Sequence, residues 1–317
     1  MQLVPILILA IAAATVVAFL CHNAPVLCTR LRLMDVPDDR KRHKKATPLV
    51  GGLALQAAFV PALVASALFF SSADQVVPLL VIAACTIAMS LVGMADDRHS
   101  LTPRDRILIS FLVFGSAAIV AAGFFNVRVL QFEHPSWELG LGTGWLAVGF
   151  TTLCCVGLVN AINMADGKNG LVIGTSLGWL ALLAMRAPVW LLVPISLLAA
   201  VLVVLFAFNM RGRIFLGDGG AYGLAAALVL LTIATYNAPG AHVGRAISAE
   251  EIVALVYLPV ADSFRLTFVR LRRGQSPMAG DRDHFHHMLQ NRFGWPTGLY
   301  LYWLIALGPP ALLFALA

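Results

Sequence analysis

The chain has 317 residues, is 60% hydrophobic and only 12% charged, and carries a formal net charge of +6. Soluble domains carry roughly 25% charged residues, so this chain lacks the polar surface that a soluble fold of its size needs. A soluble globular class is excluded, and lipid is the expected solvent for most of the chain.

Backbone amides in hydrocarbon must be satisfied within their own segment, and the long apolar runs show no strand alternation, so they predict helices. A helix needs about 20 apolar residues to cross a bilayer. In chain order the expected spans are 3–20, 49–70, 77–95, 107–125, 145–162, 171–186, 189–208, 221–236, 251–269 and 299–316. The expected fold class is therefore all-α, a polytopic integral membrane protein of about ten transmembrane helices forming one domain over 1–317. The first run lacks a basic segment before it and other spans follow, so it reads as a retained helix rather than a cleaved signal. Cys21, Cys28, Cys85, Cys154 and Cys155 form no CxxC pair and mostly lie in or beside apolar runs, as small packing residues do.

Ten spans put both termini on one side and alternate the connections. The stretches near 30–48, 96–106, 163–170, 209–218 and 262–298 then share a side and hold 19 of the 22 Lys and Arg residues. Those near 71–76, 126–144, 187–188 and 237–250 share the other, with only Arg128, Arg245 and the border residue Arg186. The positive-inside rule makes the first set cytoplasmic and both termini external. All four Glu residues fall outside, whereas eleven of the twelve Asp residues fall inside or at the inner boundary. Topology signalling accounts for the basic excess, but not for this placement of aspartates. A basic face with selected aspartates suits anionic substrates together with a divalent cation.

Four clusters on that side carry candidate chemistry. Asp96 and Asp97 end the third span, in Gly93-Met94-Ala95-Asp96-Asp97-Arg98. Adjacent carboxylates at a membrane boundary repel each other and resist desolvation, so a cation or a proton-transfer task accounts for them. A solvated helix terminus is the plainer reading. Thr102 and Pro103 fit an N-cap and first helical residue, which brings Arg104 and Arg106 close to the pair.

Asn160, Asn163 and Asp166 stand at i, i+3 and i+6, on one face of a helix that Gly167 and Gly170 would end. Such groups in a membrane helix usually face a polar cavity, a structural helix contact being the alternative. In Phe215-Leu216-Gly217-Asp218-Gly219-Gly220, glycines allow close backbone approach to a phosphate, and the following helix start favours anions. Asp218 suits magnesium, which takes oxygen ligands and binds substrate phosphates; alone, the stretch reads as a turn. The fourth cluster, Asp281-Arg282-Asp283-His284-Phe285-His286-His287, lies in the longest cytoplasmic loop, 270–298. Three histidines admit zinc, but no Cys lies nearby, and Arg282 with the histidines as donors to a diphosphate fits better.

In combination these motifs resemble the polyprenyl-phosphate N-acetylhexosamine-1-phosphate transferases, relatives of phospho-N-acetylmuramoyl-pentapeptide transferase. Asp35-Val36-Pro37-Asp38-Asp39-Arg40-Lys41-Arg42-His43, with Pro48 and Gly51-Gly52, is similar to the family's first loop. Asp96-Asp97 with Arg104 and Arg106, the run from Asn160 to Gly170, and Phe215 to Gly220 resemble its three acidic motifs. Arg272, Gly274, Ser276 and Pro277, followed by His284-Phe285-His286-His287, resemble its last long loop.

The resemblance implies a many-helix fold with a cytoplasmic active-site cleft in a bacterial inner membrane. It implies transfer of N-acetylhexosamine-1-phosphate from a UDP-sugar, UDP-N-acetylglucosamine or a derivative, to undecaprenyl phosphate, the first membrane step of an envelope polysaccharide, with release of UMP. It further implies Mg²⁺, with Mn²⁺ as a substitute. Asp218 would be the main metal ligand, with Asn163 or Asp166 beside it. Asp96 or Asp97 would activate the lipid phosphate, and Asp166 counts among the catalytic residues. Lys45, Arg106, Asn160, Asn169, Arg282, His284, His286 and His287 would bind substrate. No nucleic-acid partner is expected, and a homodimer is left open.

There are departures: Asn169 replaces a frequent second Asp, Ala221 a usual Ser, and Phe285 interrupts the histidine triplet. They favour the simple N-acetylhexosamine branch over the muramoyl-pentapeptide branch. A transporter would line a polar path across the bilayer, but the external side lacks matching acids and histidines. A CDP-alcohol phosphotransferase would continue Asp-Gly-x-x-Ala-Arg, whereas Asp166-Gly167 continues as Lys168-Asn169-Gly170-Leu171.

Overall fold

The structure is a computed structural model that describes residues 3–37, 45–133, 135–240, 244–276 and 283–316. The chain opens with α1 (Leu3–His22) and the short α2 (Ala24–Leu31), followed by β1 (Met34–Asp35), which pairs antiparallel with β2 (Thr47–Pro48). Next, α3 (Gly51–Ala54), a π-helical turn over Leu55–Phe59 and α4 (Val60–Phe70) form one rod, followed by α5 (Ala73–His99), α6 (Pro103–Val120) and a single turn, α7 (Ala122–Phe125). An antiparallel ribbon, β3 (Val129–Phe132) with β4 (Trp137–Gly140), precedes α8 (Trp145–Ala165), α9 (Leu171–Arg186), α10 (Val189–Met210) and α11 (Gly217–Asn237). The chain closes with α12 (Ala249–Arg272), α13 (Phe285–Phe293) and α14 (Thr297–Leu316).

Each expected apolar run is helical, the run at 107–125 being broken at Ala121 into α6 and α7. Eight are long and apolar enough to cross a membrane among the described residues. The other two differ for plain reasons: α9 has only 16 residues, and α6 opens with Arg104, Asp105 and Arg106 in its first turn. Two short ribbons and α13 interrupt the purely helical expectation. They sit in connections, where backbone amides outside the spans must find partners locally.

The core is organised around α11, in which every residue from Gly219 to Tyr236 is buried. A helix apolar all round belongs in the middle of a bundle. Small residues let its neighbours come close. A Cβ at Gly93 of α5 would run into the Asp218 backbone, and one at Gly220 would lie 2.8 Å from the Gly51 Cα. At the same end, Val50 N–H donates to Phe215 C=O at 3.1 Å, and Phe215 N–H to Pro48 C=O at 2.9 Å. The loop before α3 is thereby stitched to the turn before α11.

A different polar knot ties the opposite end. The Tyr236 hydroxyl donates to Val129 C=O and accepts from Gln131 N–H, both at 2.8 Å. Arg245 Nε donates to Gln131 Oε1 at 2.5 Å, and Glu250 Oε1 accepts from Glu133 N–H at 2.7 Å. The connections near 126–144 and 237–250 therefore meet at one end of the bundle, and those bearing Asp97, Asp166 and Asp218 at the other.

Candidate active site

The site forms at the end of the bundle where the connections bearing Asp97, Asp166 and Asp218 converge. Asp96 and Asp97 lie in the last turns of α5, and the helix continues to His99. Asp97 reaches across to α11: its carboxylate accepts from the backbone N–H groups of Asp218 and Gly219, each at 3.0 Å. These are orphan amides of a helix start, and a carboxylate there also meets the positive end of the helix dipole. The anion held by the glycine turn is thus the protein's own Asp97. Gly217, at φ +72°, supplies the left-handed turn that aims these amides at it.

Asp96 is buried and paired with Arg106 at 2.5 Å. Arg106 comes from the first turn of α6, which Thr102 caps as expected by accepting from Asp105 N–H at 3.3 Å. The Arg106 Nε is buried without a hydrogen-bond partner. Tyr222 of α11 packs beside Arg106 and donates to Asn160 Oδ1 at 3.4 Å, while the Asn160 amide returns to Val156 C=O at 2.8 Å.

Asn163 Nδ2 donates to Asp218 Oδ1 at 2.8 Å, so α8 and α11 present their polar groups to each other. The helix stops at Ala165, one residue before the third member of the expected face, and Asp166 sits at its C-cap. Burial first, and then the charges of Asp218 and Asp97, push the Asp166 carboxyl up to about 8. Asn169 faces the turn at Gly212. The loop closes where Gly170 N–H donates to Asn209 Oδ1 at 2.7 Å, with Asn209 Nδ2 returning to Ile214 C=O at 3.0 Å.

The histidine cluster docks on this loop. A Cβ on Gly167 would collide with the His286 ring, and the His286 Nε2 is buried without a hydrogen-bond partner. His286 is only 1% exposed; burial, then the neighbouring His287 and His284, hold its pKa down at about 3. The three rings cluster, with centroids 5.4 Å apart for His284 and His286 and 4.2 Å for His286 and His287. His286 and His287 lie on α13, a helix within the long loop. Lys45 is exposed before β2, and Arg282 lies outside the described residues, as do residues 38–44.

Sequence reasoning missed Asp262 of α12. Its carboxylate binds His284 Nδ1 at 3.0 Å, accepts from Phe285 N–H at 3.1 Å, and accepts from Arg265 Nη2 at 2.8 Å. Its one signal was an acid inside an apolar run, which marks a functional group by default in a membrane segment. Asn209 and Tyr222 were missed as well, since their partners lie far away in the chain.

Among the described residues no three His, Cys, Asp or Glu side chains form a ready-made metal cage. Magnesium does not need one, because it is commonly held by one or two carboxylates plus substrate phosphates. The donor chemistry here fits that mode: Asp218 and Asp166 supply carboxylates, Asn163 is already on Asp218, and the charge crowding felt by Asp166 is what a cation would relieve.

A polytopic helical membrane protein, with carboxylates, amides, an arginine and histidines gathered at one end of its bundle, is the class that fold and site define. The chain belongs to the family Glycosyl transferase family 4, which it matches over residues 79–236. It is 31% identical over 272 residues to an undecaprenyl-phosphate alpha-N-acetylglucosaminyl 1-phosphate transferase of Yersinia pestis, covering 82% of this chain and 70% of that protein. The Escherichia coli K12 protein of the same name is 28% identical over the same shares. A probable undecaprenyl-phosphate N-acetylglucosaminyl 1-phosphate transferase of Bacillus subtilis is 29% identical over 83% of this chain and 71% of its own length. The motif resemblance and these similarities, which span most of the chain, agree.

Proposed function

We propose that the protein transfers N-acetylglucosamine-1-phosphate, or a close N-acetylhexosamine analogue, from a UDP-sugar to undecaprenyl phosphate at the cytoplasmic face of a bacterial inner membrane. The observation that carries this reading is the meeting of Asp97, Asn163, Asp166, Asp218 and the histidine cluster at one end of the bundle. The similarity over most of the chain to enzymes named for that reaction supports it. The Lys and Arg excess on the same set of connections supports the cytoplasmic assignment.

In the reaction a lipid-phosphate oxygen bonds to the sugar-bearing phosphorus, the bond from that phosphorus to the bridging oxygen breaks, and UMP leaves with the electron pair. A phosphate monoester has its second pKa near about 6, so the acceptor is largely dianionic at neutral pH and needs orientation and charge balance more than deprotonation. Arg106, fixed by Asp96, has a partly exposed side chain whose guanidinium would meet a phosphate oxygen. Asp97 holds the Gly217–Gly219 turn so that Asp218 faces Asn163. Asp218 and Asp166 would hold Mg²⁺, which supplies charge neutralisation of the diphosphate and of the departing UMP. His284 and His287 cluster with His286, the ring that abuts Gly167, and would meet the donor from there, while neutral His286 shapes the Asp166–Gly170 loop.

Purified protein given undecaprenyl phosphate, Mg²⁺ and a panel of UDP-N-acetylhexosamines tests the reading by product mass. A lipid diphosphate carrying one N-acetylhexosamine, with stoichiometric UMP, is expected. No turnover with any donor of the panel would refute it.

A further inference from the structure

Asp262 concentrates more hydrogen bonds on one carboxylate than any of the acids expected to be catalytic. Its Oδ2 meets His284 Nδ1 at 3.0 Å, both oxygens lie 3.1 Å from Phe285 N, and Oδ1 accepts from Arg265 Nε at 3.1 Å and Nη2 at 2.8 Å. Arg265 also donates to Asp283 C=O, so one acid–base pair on α12 grips residues 283, 284 and 285 together. That is where the long loop turns into α13. His284 is the N-cap of α13, yet its side chain makes no capping bond to its own helix. The cap comes from another helix: the first orphan N–H, that of Phe285, is satisfied by Asp262.

We propose that Asp262 is a positioning residue for donor binding, setting His284 and, through α13, the placement of His286 and His287 against the Asp166–Gly170 loop. An ionised carboxylate at Nδ1 fixes the proton there, so His284 turns its Nε2 to whatever lies beyond. Its ring stacks on His286 with an interplanar angle of 16°, and His286 abuts Gly167. The order is thus Asp262, His284, His286, Gly167, and the acidic loop is the next link. Asp262 needs no contact with substrate to act in this way. An amide in its place would set an N–H₂ against donors already present at His284 Nδ1, Phe285 N and Arg265.

The donor-binding part of this inference rests on the proposed transferase reading, and two readouts keep the two apart. The first is the rate of histidine modification by diethyl pyrocarbonate, mapped by mass. His284 and His286 are 8% and 1% exposed, so they react slowly in the intact protein. Asp262→Ala is expected to speed both by about tenfold, the scale on which a charge-assisted hydrogen bond is lost. The second is steady-state kinetics. Asp262→Ala is expected to raise the UDP-sugar KM about tenfold or more while the undecaprenyl phosphate KM and kcat stay within about threefold. The double variant with His284→Ala should lose no more than His284→Ala alone. If Asp262→Ala is too poorly produced to assay, Asp262→Asn decides the same question, and Asp262→Glu should recover part of the donor KM. Unchanged modification rates, equal losses for both substrates, or additive losses in the double variant would each overturn the proposal. A wild-type protein without turnover would instead sink the transferase reading and leave the modification rates to decide the positioning.

Discussion

At His286, burial changes what a side chain can contribute. The sequence places it among donors to a diphosphate, but a ring 1% exposed and held near a pKa of about 3 is neutral at any working pH. Its folded pKa lies below the ordinary 6.5, so the unfolded chain binds the extra proton between about 6.5 and 3. Stability from the neutral ring is therefore fully present above 6.5 and is lost as pH falls through that window. At pH 5 the loss amounts to about 2 kcal/mol. Thermal unfolding between pH 7 and 5 should show a smaller acid-induced fall in Tm for His286→Gln than for the wild type. Parallel curves would show that His286 is not buried in this neutral state. At Asp97, the helix-start amides that the glycine turn offers to an anion are occupied by a carboxylate 121 residues away, a pairing that no local pattern in the chain announces.

At the scale of elements, local signals were legible where the partners are close in sequence. Thr102 and Pro103 start α6 as their types require, and the Asn160–Asn163 spacing lies on one helix. What was not legible depends on long-range packing. Gly93 looks like an ordinary small residue before an acidic pair. In the structure it is where α5 and α11 touch backbone to backbone, which brings Asp97 within reach of Asp218. Gly93→Val should separate the helices, cost roughly 1–3 kcal/mol of overpacking strain and remove most turnover. Gly123→Ala, with open space around it, is the control and should leave Tm and rate unchanged. Equal behaviour of the two variants would mean that the close approach at Gly93 is not needed. The helix α13 was hidden for a similar reason: it is short, and its cap lies on α12.

At the scale of the molecule, composition and apolar runs made the membrane class and the bundle readable, because lipid imposes length and polarity on every crossing helix. The division of polar groups between two ends was readable from charge, since Lys, Arg and Asp collect on alternate connections. The chemistry of the ends was readable only in part. One end is a structural knot around Tyr236 and Arg245. The other gathers Asp97, Asn163, Asp166, Asp218 and the histidines at one end of the bundle, around the start of the buried α11. That this end is the place where a cation and a diphosphate meet is tested most directly by titrating Mg²⁺ against UMP release for the wild type and for Asp218→Ala. The wild-type rate should rise from near zero with added Mg²⁺, and the variant should fall on the order of 100-fold or more at every concentration while remaining folded. An Asp218→Ala protein that releases UMP at the wild-type rate, with the same Mg²⁺ dependence, would contradict the account.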